Sequence, residues 1–259
     1  MLDIAVQHIN KLRPEFVAVL GDLTNCFPEP DGSNATQATQ VEDFKACMAK
    51  VDADIPLVFV SGNHDVGNTA RPETVRTYVE RFGDDFFEFN ARGVHGVVLN
   101  TQMYEDPQYV QEALAEQDAW LERVLDEPPQ APARHRIIFG HIPPFLFAAD
   151  EPNGYFNIET EKRARLLKLA RSGAAKQWHC GHYHRNAGGV DPDGGMEVIT
   201  TSAVGSVIAP SGKDPLGLES CGEISCSSDR SGLRIVKVYE DRLEHEWYTL
   251  DTVPASIDL

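Results

Sequence analysis

The sequence of 259 residues predicts an α/β fold, and two observations support this prediction. Short apolar runs rich in Val, Ile and Phe recur along the chain, and segments with helical spacing separate the earlier ones. The last runs follow one another with no convincing helix between them. Alternating strands and helices are typical of a parallel sheet, so we expect a mixed sheet whose later strands become antiparallel.

Each predicted strand is a run too short for a helix, rich in β-branched or aromatic residues and usually followed by polar residues or glycine. In chain order they are FVAVL (16–20), PLVFVS (56–61), GVVLN (96–100), RIIFG (136–140), KQWHC (176–180), MEVITTSAV (196–204), LRIVKVY (233–239) and LEHEWYTL (243–250). Between the earlier strands, apolar residues three or four apart predict helices near 3–13, 39–51, 72–82, 111–126 and 159–172.

The chain shows no internal repeat and no linker, so we expect a single domain over residues 1–259. The stretch 210–232 is rich in Gly and Ser with mixed charges, which predicts a loop insertion. Two interpretations stay open for this stretch, a solvated surface insertion and a mobile loop over a site.

The composition excludes some classes of function. The formal net charge is -17, from 23 Lys and Arg against 40 Asp and Glu, which argues against a nucleic-acid-binding protein with a broad basic surface. A phosphorylated substrate remains compatible with this charge, because local positive charge at a site can outweigh the global field. Any phosphate site in this chain must therefore contain a local source of positive charge.

The sequence also predicts a soluble cytoplasmic protein without a membrane partner. The five cysteines form no regular framework and are expected to be reduced thiols. The first residues, MLDIAVQHINKLRPEF, lack the apolar core of a signal peptide, and no run approaches the roughly 18 apolar residues of a spanning helix.

Polar side chains follow four of the predicted strands. These residues are Asp22 in GDLTN, Asn63, His64 and Asp65 in GNHD, His141 in GH, and His182 and His184 in GHYH. Ligands of open α/β sheets bind beyond the carboxyl ends of strands, so we expect these side chains to share one rim. Each motif alone has an ordinary alternative, a turn, a helix cap or a packed histidine. All four in this order are poorly explained by those alternatives.

These residue types suit a metal site. Imidazole, carboxylate and amide oxygen together favour Mn, Fe or Zn over Ca, and the lack of thiolates argues against a structural zinc site. Two such metals held about 3.5 to 4 Å apart can generate a hydroxide and bind a phosphoryl group. They would also supply the local positive charge that an acidic chain needs at a phosphate site.

The ordered motifs GDL, GNHD, GH and GHYH resemble those of the calcineurin-like metallophosphoesterase family. The resemblance implies a four-layer α/β/β/α sandwich with a dinuclear metal site. The wider text SGNHDVGNT, LNTQMYEDP and GHYHRNAGG resembles more narrowly the calcineurin-like phosphoesterase domain-containing protein 1 subgroup, which is of the serine/threonine phosphatase type.

The resemblance also implies a role for each of these residues. Asp22 would bridge two metals, Asn63, His141 and His182 would complete the second metal position, and His184 would bind at the first. His64 would act as general acid or contact the phosphate together with Asn63, and Asp65 would orient the His64 ring. Arg185 is a candidate substrate contact, although a surface role is equally compatible.

One part of the family pattern is absent from the sequence. The family begins with a strand that ends in Asp-x-His, or Asp-x-Gln in the subgroup, and supplies two ligands to the first metal. The chain instead opens on a predicted helix, and His8 on that helix is not a convincing substitute. We therefore expect a domain that lacks its first strand and is N-terminally incomplete, with a first metal position that is weak or empty.

The sequence thus predicts a metal-dependent phosphoesterase. We expect hydrolysis of phosphomonoesters, in particular of serine and threonine phosphate in proteins, by a metal-bridging hydroxide with His64 as general acid. The substrate would be a phosphoprotein or a small phosphoester. Two alternatives stay open: a phosphodiesterase acting on cyclic nucleotides, and a catalytically impaired metal-binding protein, which the missing first motif favours.

Overall fold

The computed structural model describes residues 1–29, 31, 33–129, 133–209 and 223–258. The helices of these residues are α1 (Leu2–Leu12), α2 (Ala35–Met48), α3 (Asn63–Val66), α4 (Pro72–Phe82), α5 (Gln102–Glu105), α6 (Gln111–Asp126) and α7 (Thr160–Ser172). The first six strands are β1 (Val17–Val19), β2 (Leu57–Phe59), β3 (Phe87–Ala91), β4 (Val94–Leu99), β5 (His135–Gly140) and β6 (Ala175–Cys180). The others are β7 (Ala187–Val190), β8 (Glu197–Thr200), β9 (Val207–Ile208), β10 (Ile224–Ser225), β11 (Gly232–Val238) and β12 (Leu243–Thr249).

Every strand and helix predicted from the sequence is confirmed, with ends that differ by a few residues. The elements of the described residues that were not predicted are α3, α5, β3, β7, β9 and β10. Strand β3, with the sequence FEFNA, was missed although its alternation of apolar and polar residues is typical of a strand. Helices α3 and α5 are single turns of four residues, too short to show a helical period. Strand β7 contains two glycines in the sequence AGGV, and glycine is depleted in strands.

The larger sheet has six strands in the order β3-β4-β5-β6-β8-β7. Its four inner strands run parallel, and β3 and β7 pair antiparallel at the two edges. Strands β1 and β2 form a separate parallel pair, and β11 and β12 form an antiparallel hairpin. The expected change from parallel to antiparallel pairing along the chain is therefore confirmed.

Alternation along β1 shows how the layers are built. Val17 and Val19 belong to an apolar cluster with helices α1, α2 and α4. Ala18 belongs instead to a cluster that joins β1 and β2 to the larger sheet, where it meets residues such as Val98 and Phe139. Because neighbouring side chains of a strand point to opposite faces, one short strand contributes to two interfaces.

The far face of the larger sheet is covered by helices α6 and α7. Trp178 is fully buried there and packs in one cluster with residues such as Leu121 and Leu166. The order of layers is therefore helices, small sheet, large sheet and helices, which confirms the four-layer α/β/β/α sandwich. Among the helices that the structure describes, none combines the length and apolar character needed to cross a bilayer.

Two predictions fall partly on residues outside the described ranges. Of the predicted insertion 210–232, residues 210–222 are not described, and the remainder includes β10, which pairs with β9. Cys26, Cys47, Cys180 and Cys226 are free thiols, and Cys221 lies outside the described residues.

Candidate metal centre

Four predicted ligands come together where strands from the two sheets end. Asp22 follows β1, Asn63 follows β2, His141 follows β5, and His182 follows β6. One donor atom each of Asp22, His141 and His182 lies within 4.8 Å of the others. His141 Nε2 is 3.3 Å from Asp22 Oδ1 and 3.1 Å from Asn63 Oδ1. The carboxyl ends of the strands therefore meet at one rim, as the sequence predicts.

Backbone carbonyl groups fix the orientation of the histidine rings. His141 Nδ1 donates to Leu20 O at 2.6 Å, and His182 Nε2 donates to Tyr155 O at 3.0 Å. His184 Nδ1 likewise bonds to the carbonyl oxygen of Ser206. Since a carbonyl only accepts, each of these nitrogens carries a proton, and in the neutral form of the ring the other nitrogen keeps the lone pair that a metal ion requires. Burial alone would lower the pKa of His141, but the charge of Asp22 and a hydrogen bond to it raise that pKa, so a metal ion that binds Nε2 of His141 displaces a proton when the ring is charged.

The amide of Asn63 is oriented in the same way. Its Nδ2 group donates to Asn68 Oδ1 at 2.9 Å and to the Tyr155 hydroxyl at 3.3 Å. These two acceptors require the nitrogen on that side, so the oxygen Oδ1 is directed toward His141. Asn68 and Tyr155 therefore support the site, although neither belongs to a motif that predicted it.

The backbone at three of these positions is left-handed. Asp22, His182 and His184 have φ values of 55°, 65° and 54°. Asp and His tolerate this region better than most residues, but it remains strained for any side chain with a Cβ. All three residues lie in the turns that follow β1 and β6.

Close packing of the backbone also requires glycine at the rim. A Cβ atom on Gly21 would lie 2.4 Å from His141 Nδ1, and Gly21 itself has a φ of 89°. The glycine of the GDL motif therefore allows the His141 ring to approach the turn that carries Asp22.

His184 lies on the other side of Asp22. Its Nε2 atom is 3.9 Å from Asp22 Oδ2, whereas His141 faces Oδ1. Among the described residues, the compact group of three possible ligands contains Asp22, His141 and His182 but not His184. The two oxygens of the Asp22 carboxylate therefore face different histidines, Oδ1 toward His141 and Oδ2 toward His184.

The electrostatics favour an ionised Asp22. Burial alone would raise the pKa of its carboxyl group, but the charge of His141 and hydrogen bonds from His141 and His184 hold the pKa well below its usual range. Burial, reinforced by the charge of His141, lowers the pKa of His182 to about 3. A charged carboxylate beside a neutral imidazole is the state in which both groups can ligate a cation.

The donor set therefore fits the predicted metals. One carboxylate, one amide oxygen and two imidazole nitrogens converge at this candidate site, a combination suited to Mn, Fe or Zn. The side chains of Asp22 and His141 are 15% and 2% exposed. A buried carboxylate surrounded by oriented lone pairs is stabilised when a cation binds among them.

His64 is held differently from the prediction. Its Nδ1 atom donates to Asn25 O at 2.6 Å, and its ring stacks on Phe27 with centroids 4.1 Å apart. The Asp65 carboxylate instead accepts backbone N–H bonds from Gly62 at 2.8 Å and Leu23 at 3.0 Å. The expectation that Asp65 orients the His64 ring is therefore corrected, because its oxygens face the two turns that carry the ligands.

Burial and the nearby charge of Asp22 raise the pKa of Asp65 to about 7. Asp65 joins the turn after β1 to the turn after β2 and so supports Asp22 and Asn63 together. Neither Asn25 nor Phe27 could be assigned from the sequence, since their contact with His64 depends on the path of the loop after Asp22.

Arg185 is buried beside the histidine motif, at 9% exposure. Its Cζ atom lies 4.1 Å from the centre of the Tyr183 ring and 5.6 Å from that of Phe156. Among the described residues, its Nη2 atom has no hydrogen-bond partner. The guanidinium group is therefore fixed by stacking and keeps a nitrogen available for another acceptor.

Comparison with known proteins agrees with this geometry. The family profile described as calcineurin-like phosphoesterase matches residues 2–186. The chain is 38% identical over 250 residues to the human serine/threonine-protein phosphatase CPPED1, covering 95% of this chain and 72% of that protein. It is 36% identical over 249 residues to the Danio rerio protein of the same name, covering 95% and 73%.

Solved structures show a similar fold. A dimetal phosphatase from Danio rerio superposes with a TM-score of 0.54 at 17% identity, covering 96% of this chain and 85% of that one. The purple acid phosphatase PPD1 from yellow lupin superposes with a TM-score of 0.67 at 12% identity, covering 98% and 47%. At these identities the likeness concerns the fold alone.

Proposed function

Because the chain belongs to the calcineurin-like phosphoesterase family, we propose that it is a metal-dependent phosphatase that removes phosphate from serine and threonine side chains of proteins. The hydrolysis of phosphoesters follows from the family, and the substrate class rests on the CPPED1 relatives, which are named serine/threonine-protein phosphatases. The observation that carries the proposal is the carboxylate of Asp22, which lies between His141 on one side and His184 on the other.

We assign Asp22 as the residue shared by two metal positions. Asn63, His141 and His182 would complete the second position, and His184 would serve the first. When bound, divalent metal ions supply an activated water as nucleophile and positive charge for the phosphoryl oxygens. The two donor sets support unequal affinity, with the second position the stronger.

His64 would protonate the departing alcohol. Because Nδ1 is occupied by the carbonyl of Asn25, the proton exchanged with substrate must be carried by Nε2. The stacked ring of Phe27 limits rotation of the imidazole and keeps Nε2 in one direction. Asp65 would act indirectly, by holding the turns that carry Asp22 and Asn63.

Arg185 and Asn63 are further candidates for contact with the phosphoryl group. The unpaired Nη2 of Arg185 supports this role, since guanidinium groups bind phosphate oxygens strongly. We also propose that the protein works in the cytoplasm. The free thiols of the described cysteines support that location.

The test is to purify the protein without metal, load it with Mn, Fe or Zn, and measure the rate at which it hydrolyses phosphoesters. We expect turnover of p-nitrophenyl phosphate and of a phosphoserine peptide, little turnover of bis(p-nitrophenyl) phosphate, and loss of activity with a chelator. Preference for the bis ester would support the phosphodiesterase alternative. Metal binding without any turnover would support the catalytically impaired alternative.

A further inference from the structure

A cavity of about 230 Å³ opens directly beside the candidate metal centre. It shares His182 and Tyr155 with that centre, so a group in the cavity would lie next to a substrate bound at the metals. Its other walls include Asn68, Thr69 and residues of the segment LNTQMYEDP, which no part of the proposed mechanism uses. We call this space the acidic cavity.

One polar atom of the wall lacks a partner. Gln102 is 1% exposed, and its Nε2 donates to Asn68 O at 2.7 Å. The Oε1 atom of Gln102 accepts no hydrogen bond from any described residue. A buried acceptor without a donor is destabilising, and a donor group from a ligand would remove this penalty.

The charge of the wall has one sign. Glu105 and Asp106 both line the acidic cavity, and none of its lining residues in the described chain is Lys or Arg. Lys162 lies outside this lining: its Nζ donates to the backbone oxygen of Glu105 at 3.5 Å and forms an ion pair with Glu159 at 3.4 Å, so it offsets part of the charge of Glu105. Asp106 is held in place by the hydroxyl of Thr69, which donates to Oδ2 at 2.6 Å. The wall therefore offers acceptors and negative charge.

Tyr155 adds an aromatic surface. It is 40% exposed, and its ring centroid lies 5.0 Å from that of His182. The face of a tyrosine ring attracts a cation, most strongly when water is partly excluded. A carboxylate pair, an unpaired amide oxygen and an aromatic ring together form the kind of surface that accepts an ammonium or guanidinium group.

We propose that the acidic cavity binds a lysine or arginine side chain of the substrate, placed next to the phosphorylated residue. The inference rests on the proposed function, because it assumes a phosphoprotein at the metal centre. A cavity of this kind would let the protein distinguish substrates by the residue next to the phosphorylated one, which the metal site cannot do because it would contact only the phosphate. The preference for a positive flank also agrees with the formal net charge of -17, which attracts basic segments.

The test compares phosphoserine peptides that differ only beside the phosphoserine, with Lys in one and Glu in the other. For the metal-loaded wild-type chain we expect kcat/KM to favour the Lys peptide by roughly fivefold to tenfold, the scale of one or two partly exposed charge pairs. Glu105→Gln should reduce this ratio by about twofold to fivefold, and Glu105→Lys should invert it.

The matched control is Glu112→Gln, which changes an exposed carboxylate on α6 outside the lining of the acidic cavity and should leave the ratio unchanged. A wild-type ratio near one, or equal ratios in wild type and both Glu105 variants, would overturn the inference. A second comparison uses 2-aminoethyl phosphate and ethyl phosphate, which differ by one ammonium group. Faster hydrolysis of 2-aminoethyl phosphate with equal hydrolysis of the two peptides would also overturn the inference, because the cavity would then not select a peptide side chain. Turnover of p-nitrophenyl phosphate by the wild-type chain keeps these results separate from failure of the proposed function, in which no substrate is hydrolysed.

Discussion

The Nε2 atom of His141 lies 3.3 Å from Oδ1 of Asp22, and this contact joins the turn after β1 to the turn after β5. Each residue is supported by its own backbone partner, since Asp22 Oδ1 accepts the N–H of His64 at 3.0 Å and His141 donates to Leu20 O. The contact brings together one ligand from each sheet and so makes the metal centre depend on the packing between the sheets.

Removing ligands should lower metal content. Asp22→Ala deletes the carboxylate common to both donor sets, and we expect loss of nearly all bound metal. His182→Ala should reduce content at the second position only. Metal is measured by elemental analysis after gel filtration, with His8→Ala as control because His8 lies on α1 and bonds to Leu250 O. Wild-type content in both ligand variants would exclude this assignment.

The two positions should differ in affinity. The second has four candidate donors and the first has Asp22 and His184 among the described residues. We expect calorimetric titration of metal-free chain with Mn or Zn to show one tight equivalent and one weaker by at least about tenfold, since each missing ligand weakens binding strongly. Two equally tight equivalents would show that the first position has further ligands.

His64→Gln should separate chemistry from metal binding. Loss of a general acid typically lowers kcat by about 10² to 10⁴, with the larger effect on poor leaving groups such as serine. We expect a strong decrease on a phosphoserine peptide, a smaller one on p-nitrophenyl phosphate, and unchanged metal content. An equal decrease on both substrates would argue for a phosphate contact instead of proton donation.

Glu197 should contribute stability that depends on pH. Its carboxylate accepts His245 Nε2 at 3.0 Å and Gln177 Nε2 at 3.1 Å, so it joins β8 to β12 and β6. The hydrogen bond from His245 is the main cause that lowers the pKa of Glu197 in the folded chain. The stabilisation is therefore fully present above the unfolded pKa of about 4.3 and is lost as pH falls through the lower folded pKa.

We expect Glu197→Gln to lower the free energy of unfolding at pH 7 by about 1 kcal/mol or less, because the side chain is 39% exposed. The difference from wild type should shrink as pH falls below about 4. Urea unfolding at several pH values measures it, with the exposed Glu161→Gln as control. A difference that stays constant down to low pH would contradict the pKa argument.

Local patterns were sufficient to predict eight of the twelve strands that the structure describes, the five longer helices, and the placement of the candidate ligands at strand ends. The reason is that each ligand directly follows an apolar strand, so sequence order alone places Asp22, Asn63, His141 and His182 at strand ends. The support of His64 could not be predicted in this way. Its ring bonds to the backbone carbonyl of Asn25, in an irregular loop, and because every residue type has this carbonyl group, the contact cannot be inferred from the residue type.

The acidic cavity could not be predicted either. Gln102 lies on α5, a single helical turn, and its burial depends on packing between segments that are distant in sequence.

The left-handed backbone at Asp22, His182 and His184 lowers the stability of the folded chain at residues that the proposed activity needs. Each of these residues is in a conformation that glycine adopts with less strain, by about 1 to 2 kcal/mol. Laboratory evolution of the metal-free chain for heat resistance alone should therefore favour glycine or asparagine at the very positions that bind metal. Only a screen that also selects for turnover would retain Asp22, His182 and His184.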